Sequence, residues 1–456
     1  MLPISDSNNR NKLLGELGQV LWLSFPIIIT MGSHTLMQFV DALFIAHYGK
    51  AELAAISPAG LTFFTVGSFM LGLMSCNNTF VSQSLGRGQT HECVRYTMHA
   101  AALGVAAQLL MVPLILFAPQ LFALYGHSAQ IQPLEVSYFR ALSWRIGGMS
   151  IVAAFSTFFQ ATDRPILPMI TGILGNVLNI IGDYALIFGH WGFPRWGIFG
   201  AGYVTTWATW FEAVFLFIMF IHPRMQAQFR PREWGPFEIK KVVQILRIGI
   251  AAGLTYALDL GSWAIFIAAV VGRLGENILA GNNAATQIMS LSFMPAIGLN
   301  IGVTALVGRH IGMGDIPGAK RRAYLSMAAA ACYMTLMALL FLLLRRPLIE
   351  LFSKDPEVVH AGMVILGYVA LFQMADAIGI LSSGALKGAG DTRFPVVAQL
   401  ILAWAFFLPV VFYLGRADVW GIHGAWLAAT VYIWLYDIVL FVRFRGERWR
   451  KIDIFK

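Results

Sequence analysis

Twelve long apolar runs, separated by short polar or glycine- and proline-rich breaks, govern what this chain can fold into. About twenty apolar residues in a helix cross the hydrocarbon of a bilayer. In that solvent only helices and closed barrels satisfy their own backbone polar groups. The runs cover approximately 18–46, 58–83, 96–124, 135–161, 165–189 and 197–222, then 242–272, 280–308, 322–344, 357–386, 394–415 and 422–442. Each is long enough for a helix and too long for a barrel strand. They predict an all-α membrane protein with twelve transmembrane helices. Composition agrees: 58% of residues are hydrophobic and 12% charged, against about a quarter charged in soluble domains. No stretch of domain size is soluble in character.

The net charge of +9 invites a nucleic-acid reading, which the topology removes. With twelve spans and the N-terminus inside the cell, 22 of the 32 lysines and arginines fall on the cytoplasmic side and 7 outside. Arg140, Arg145 and Arg247 fall within spans. That excess is the positive-inside pattern. It predicts a multi-pass plasma-membrane protein, a bacterial inner-membrane protein by expectation, with both termini cytoplasmic. The polar segment 1–12 is expected to be retained, because the run after it is too long for a signal peptide. Cys76, Cys93 and Cys332 lie in or beside apolar segments and read as packing residues, with no disulfide framework.

The chain repeats itself. Leu85-Gly86-Arg87-Gly88-Gln89 follows span 2, and Ile311-Gly312-Met313-Gly314-Asp315 follows span 8, 226 residues later. At the same offset Leu53-Ala54-Ala55 and Leu279-Ala280-Gly281 precede those spans. Thr162-Asp163-Arg164-Pro165 after span 4 matches Gly390-Asp391-Thr392-Arg393-Phe394-Pro395 after span 10. A duplication with six spans per half gives parallel repeats about an axis along the membrane normal. The expected organisation is an N-lobe over 1–222, a cytoplasmic linker over 223–241 and a C-lobe with a basic tail over 242–456. A central cavity between two rocking lobes follows from such a design.

Ionisable groups inside spans are costly and mark function by default. In the first half, His34, Gln38 and Asp41 share one face of span 1, and Pro26 earlier in that span permits a kink. Asn176, Asn179 and Asp183 form a second polar stripe on span 5. Spans 1 and 5 run the same way, so Asp41 and Asp183 lie at similar depth and are expected to face each other. A carboxylate backed by amides suits either a small cation or a held proton. In the second half, Asp259 with Thr255 and Ser262, and Asp376 with Gln373 and Ser383, are expected to form a second site. Sodium at Asp41, Asp183, Asp259 and Asp376 is one expectation and protonation the other. Glu212 and Asp437 read as interfacial pairs or caps, Asp437 being near Arg443, and Glu135 as the partner of Arg140.

Other chemistries are missing from the sequence. Gly49-Lys50-Ala51 lacks the glycine and hydroxyl of a phosphate loop, and Gly86-Arg87-Gly88 follows no strand. No metalloprotease, paired-cysteine or haem motif occurs. The chain reads as neither an enzyme nor a cofactor protein. Gly298 and Gly302 on span 8 read as a helix-packing pair.

Phe39-Val40-Asp41 late in span 1, the acids of spans 7 and 10, the stretch Asn176 to Gly189, and Leu386-Lys387-Gly388-Ala389-Gly390-Asp391-Thr392-Arg393 together resemble the MATE multidrug exporters, in particular a NorM-like branch. The resemblance covers nearly the whole chain. It implies efflux of organic cations and amphiphilic drugs in exchange for inward Na+ or H+ through a V-shaped cavity. It implies that Asp41 is the first-lobe acid, that Asn179 and Asp183 shape a cation-responsive site, and that Asp376 is the span-10 acid. Two departures stand out: Asp259 where that branch usually has Glu, and Gln160-Ala161-Thr162-Asp163 without the usual glycine. The partners expected are small-molecule substrates and membrane lipid, with no nucleic acid, for a monomer. The rivals are a lipid-linked precursor flippase, which needs a cavity lined by several Arg or Lys, and a channel or membrane receptor, which needs no duplicated lobes.

Overall fold

The computed structural model describes residues 7–456, with side chains from residue 15 onward except Lys50. The first residues of the polar segment, and the side chains of Arg10, Lys12 and Lys50, lie outside the described residues. Among the described residues, twelve helices are long and apolar enough to cross a membrane. In chain order they are α1 Gly15–Tyr48, α2 Ala51–Gly86, α3 Thr90–Leu116, α4 Gln132–Ala161, α5 Ile166–Phe188 and α6 Gly197–Phe220, followed by α7 Ile239–Leu274, α8 Glu276–Gly312, α9 Ile316–Glu350, α10 Pro356–Gly388, α11 Arg393–Leu414 and α12 Gly421–Arg445. Each corresponds to one apolar run. Span 3 ends earlier than its run: Pro113 and the turn at Phe117 separate α3 from a short helix, Ala118–Ala123.

The duplicated junctions fold alike. Gly88 and Gly314 both adopt left-handed backbone, at φ 74° and 76°. The amide of the next residue reaches back to the helix, Gln89 to Ser84 at 3.0 Å and Asp315 to His310 at 2.8 Å. This is the Schellman closure, which takes up carbonyls the helix end leaves unpaired. Asp315 then caps α9 by accepting from Gly318 N–H, a bond that holds its carboxyl below the usual range. After α10, Gly390 (φ 85°) does the same, with Asp391 N–H donating to Leu386 at 2.9 Å. After α4 the equivalent left-handed residue is Asp163, at φ 61°, with Arg164 N–H donating to Phe159 at 2.8 Å. The glycine missing from the first-half motif is thus replaced by one of the few residues that tolerate this backbone. Asp163→Val is expected to cost about 1–3 kcal/mol and lower the thermal midpoint in detergent, while Asp163→Gly holds or raises it. A valine variant melting with the wild type would contradict this account.

By packing, the chain forms two compact units. The first is Ile29–Gly253; the second joins the chain up to Ile28 with Leu254–Lys456. Both divisions fall inside helices. In α1 the division comes just after Pro26, which sits within an unbroken helix. Small residues explain the grouping. In the first unit α7 lies so close to α2 that a Cβ on Gly253 would stand 2.6 Å from the Phe69 carbonyl, and one on Gly72 2.8 Å from that of Ala252. In the second, a Cβ on Gly298 would meet Ile28 Cγ1 at 2.5 Å and one on Gly302 Ser24 Oγ at 2.5 Å. Gly298 and Gly302 therefore pack helices, as their spacing suggests. Gly72 and Gly298 are equivalent positions of the repeat, 226 residues apart.

The segment 223–241 packs within the first unit. A short helix, Pro223–Phe229, places Phe229 edge-on to Phe158 at 5.3 Å. His99 accepts from Glu238 N–H at 2.8 Å, and Lys241 pairs with Glu92. Cys76 and Cys93 are buried and Cys332 exposed, none of the three in a disulfide.

Candidate functional sites

In the first unit, α1 and α5 bring Asp41 and Asp183 together, their carboxyls within hydrogen-bonding reach of each other. Asp183 is fully buried, and neither of its oxygens receives a hydrogen bond from an amide, hydroxyl or guanidinium among the described residues. One turn away on α5, Asn179 donates to Thr205 Oγ1 at 3.2 Å, leaving its carbonyl oxygen without a partner among the described residues. A further turn away, Asn176 donates to Ser33 Oγ at 2.6 Å and has the His34 ring within reach. The expected stripe of Asn176, Asn179 and Asp183 thus faces the expected stripe of His34 and Asp41. Gln38 is exposed.

Three further groups complete this cluster. Arg145 lies in electrostatic reach of Glu212, Tyr138 and Asp41, and its Nε donates to Thr209 Oγ1 at 2.8 Å. It gets there because α4 is two helical pieces, Gln132–Ser143 and Arg145–Ala161, broken at Trp144. The break exposes backbone groups that must find partners in an apolar medium. Gln108 supplies two, accepting from Gly147 N–H at 3.0 Å and donating to the Ser143 carbonyl at 3.3 Å. The Trp210 indole takes the Trp144 carbonyl at 2.9 Å. Glu212 belongs here too and is not an interfacial cap. It is buried over Gly175, where a Cβ would come within 2.2 Å of its Oε1.

In the second unit, Asp259 is exposed on α7 and accepts from Gln399 Nε2 at 3.0 Å; that nitrogen also lies 2.9 Å from the Tyr432 hydroxyl. Trp263 is within hydrogen-bonding reach of the same carboxyl. Gln399 sits where α11 leaves α-helical geometry for a wider π turn over Leu400–Phe407. The rewound segment turns Trp404 onto α7, its indole donating to the Leu258 carbonyl at 3.1 Å and its ring covering Gly261. Asp376 on α10 is half-buried and in electrostatic reach of both Asp259 and Asp437. Asp437 departs from expectation: Arg443 pairs with Asp391 at 2.8 Å instead, and Asp437 is buried against Gly379. Gln373 is also redirected, donating to Ser292 at 2.9 Å. Thr255, one turn before Asp259 on α7, is half-buried.

Glu135 does not partner Arg140. It is fully buried against His127 at 2.6 Å, and Arg140 Nε donates to the Ile115 carbonyl at 3.0 Å. Among the described residues no three His, Cys, Asp or Glu side chains converge as a metal-binding group. A cation at either acid pair would therefore draw the rest of its shell from amide, hydroxyl and carbonyl oxygens, the ligands alkali and alkaline-earth ions accept.

The family described as MatE matches this chain twice, over residues 26–185 and 253–412, one match per half. A probable multidrug resistance protein NorM of Brucella suis is 29% identical over 445 residues, covering 94% of this chain and 93% of the relative. The multidrug resistance protein PmpM of Pseudomonas aeruginosa is 29% identical over 451 residues, covering 95% and 92%. Among solved structures, a mutant of the Vibrio cholerae MATE transporter VcmN superposes with a TM-score of 0.88 at 18% identity, covering 98% of this chain and 99% of the other.

Proposed function

Given that the chain belongs to the MatE family of membrane transporters, we propose that it exports cationic or amphiphilic small molecules, drugs among them, by exchange with inward Na+ or H+. The contact between the Asp41 and Asp183 carboxyls carries this reading. Two carboxylates in contact, removed from water, repel strongly unless a proton or small cation lies between them. Among the described residues no amide, hydroxyl or guanidinium donates to Asp183, and Arg145 is in electrostatic reach of Asp41, so the further positive charge the pair needs is one that comes and goes. A coupling ion entering from outside supplies it. A cationic substrate drawn to the same negative site competes for it, and the ion's arrival favours release of the substrate. Coupling follows if ion and substrate favour different members of an inward-open and outward-open pair.

Asp259, Asp376 and Asp437 supply a second acidic site of the same kind. The amide of Gln399 fixes the orientation of Asp259, and the shorter Asp in place of Glu leaves room for a hydrated ion. The working parts are an N-lobe over 1–222, the linker 223–241 and a C-lobe over 242–456, in a monomer with both termini cytoplasmic. The close α2–α7 and α8–α1 packing supports swinging points inside α1 and α7.

Reconstituted vesicles loaded with a fluorescent organic cation and given an inward sodium gradient or an inward pH gradient test the mechanism. Efflux driven by one gradient, with stoichiometric movement of that ion, is the expected result. Efflux indifferent to both gradients would overturn antiport and favour a channel.

A further inference from the structure

The first unit contains a cavity of about 510 Å³ that neither acid cluster uses. Pro119, Pro133, Val136 and Phe199 give it apolar walls, and Ser137 and Arg140 provide its hydrogen-bonding groups. Gln132 also lines it, with its amide nitrogen donated to the Pro119 carbonyl at 3.3 Å. The volume falls in the range of small-ligand sites.

Arg140 makes this cavity chemically specific. It is half-buried in a membrane span and forms no ion pair among the described residues. Its nearest expected counter-charge, Glu135, is turned into the fully buried contact with His127. The Nε–H is spent on the Ile115 carbonyl, so the two terminal nitrogens remain as a fork. That fork matches two oxygens of a phosphate.

Depth decides what kind of phosphate. Arg140 stands eight residues inside α4, about 12 Å along the helix from Gln132. A 30-residue span is about 45 Å long against roughly 30 Å of hydrocarbon. If the excess is shared between the ends, Arg140 lies some 5 Å below the hydrocarbon boundary, within snorkelling reach of the headgroup layer. The preceding stretch of chain presents Leu109, Leu110, Leu116 and Phe117 as exposed apolar side chains, suited to acyl chains. A guanidinium at that depth without a carboxylate is costly unless an anion meets it.

We propose that this cavity binds a phospholipid, with the phosphate on the terminal nitrogens of Arg140 and the Ser137 hydroxyl and the glycerol backbone against Pro133, Val136 and Phe199. Basic pockets between transmembrane helices hold lipid headgroups by the same chemistry. The inference does not depend on the direction or coupling of transport.

Delipidated full-length protein in detergent, titrated with phosphatidylglycerol, tests it by native mass spectrometry for a one-lipid adduct and by thermal midpoint. The expected result is one tightly held lipid and a raised midpoint for the wild type. Arg140→Gln weakens binding at least tenfold, and Arg140→Lys by less. Ser137→Phe, which blocks the cavity and keeps the charge, also weakens it at least tenfold and carries the test if the glutamine variant does not fold. Diacylglycerol with the same chains gives no adduct. Equal phosphatidylglycerol binding by wild type, Arg140→Gln and Ser137→Phe would overturn the proposal and leave Arg140 simply snorkelling. Inorganic phosphate raising the midpoint as far as phosphatidylglycerol does would overturn it in favour of a free-anion site.

Discussion

Asp41→Asn is expected to reduce gradient-driven export of an organic cation to the background of empty vesicles, with the protein still inserted and folded. The substitution keeps size and hydrogen-bonding capacity, so loss of the charge is the one change that matters. With Asn at this position the contact with Asp183 no longer sets two negative charges against each other. The amide can satisfy the Asp183 carboxylate permanently, and the site has no reason to capture and release a cation. Asp183→Asn removes the same contact from the other side and is expected to fail in the same way. The double variant is therefore expected to be no worse than either single one. That non-additivity marks residues acting as a unit. Thermal midpoints should hold or rise, because a costly buried charge has gone. Asp41→Asn retaining half or more of wild-type gradient-driven export would sink the proposed role. Two single variants each partly active, with losses that add, would separate the two carboxylates into independent functions.

The parts of this arrangement that could be read in advance have local causes. A carboxylate within an apolar run is conspicuous because nothing else in a bilayer tolerates it, which is why Asp41, Asp183, Asp259 and Asp376 stood out. The duplicated junctions were legible because Gly88, Gly314 and Gly390 mark a backbone conformation few other residues adopt. What was missed depends on contacts between helices. No periodicity announces that α4 breaks at Trp144, since the polar groups that make the break tolerable, Gln108 and Trp210, lie 36 residues before it and 66 after it. Without the break, Arg145 had no assigned acid. Nothing in the sequence singles out Gln399 or Tyr432; the π turn in α11 sets them beside Asp259. The sequence holds a clue against pairing Asp437 with Arg443. At 100° per residue it stands about 120° around the helix from Arg443, on a different face. Gly175 and Gly379 carried no signal at all, because their value lies in the acid of another helix that fills the space of the missing side chain.

That last relationship gives the second large effect. Gly379→Ala is expected to destabilise the protein by about 1–3 kcal/mol, the usual cost of overpacking a tight contact, and to impair transport with it. A Cβ at this position would lie 1.7 Å from Asp437 Oδ1, 2.2 Å from its Cγ and 2.7 Å from its Cβ. The terminal oxygen alone can swing aside, but the Cβ of Asp437 is fixed to α12, so α10 and α12 must part. Asp437 is buried, with one carboxyl oxygen unpartnered among the described residues, so any swing also carries a polar group through closely packed apolar surroundings. The compensating change is Asp437→Ala, which removes the oxygen and Cγ and leaves a single 2.7 Å contact to relax. The double variant Gly379→Ala/Asp437→Ala is therefore expected to recover most of the lost thermal midpoint. It should not recover transport if Asp437 works with Asp376 and Asp259 in the second acidic site. Melting curves and vesicle efflux on the four members of this cycle separate packing from chemistry. A Gly379→Ala midpoint equal to wild type would remove the steric argument. Full export by the stable double variant would reduce Asp437 to a space-filling residue and leave Asp259 and Asp376 as the acids of that site.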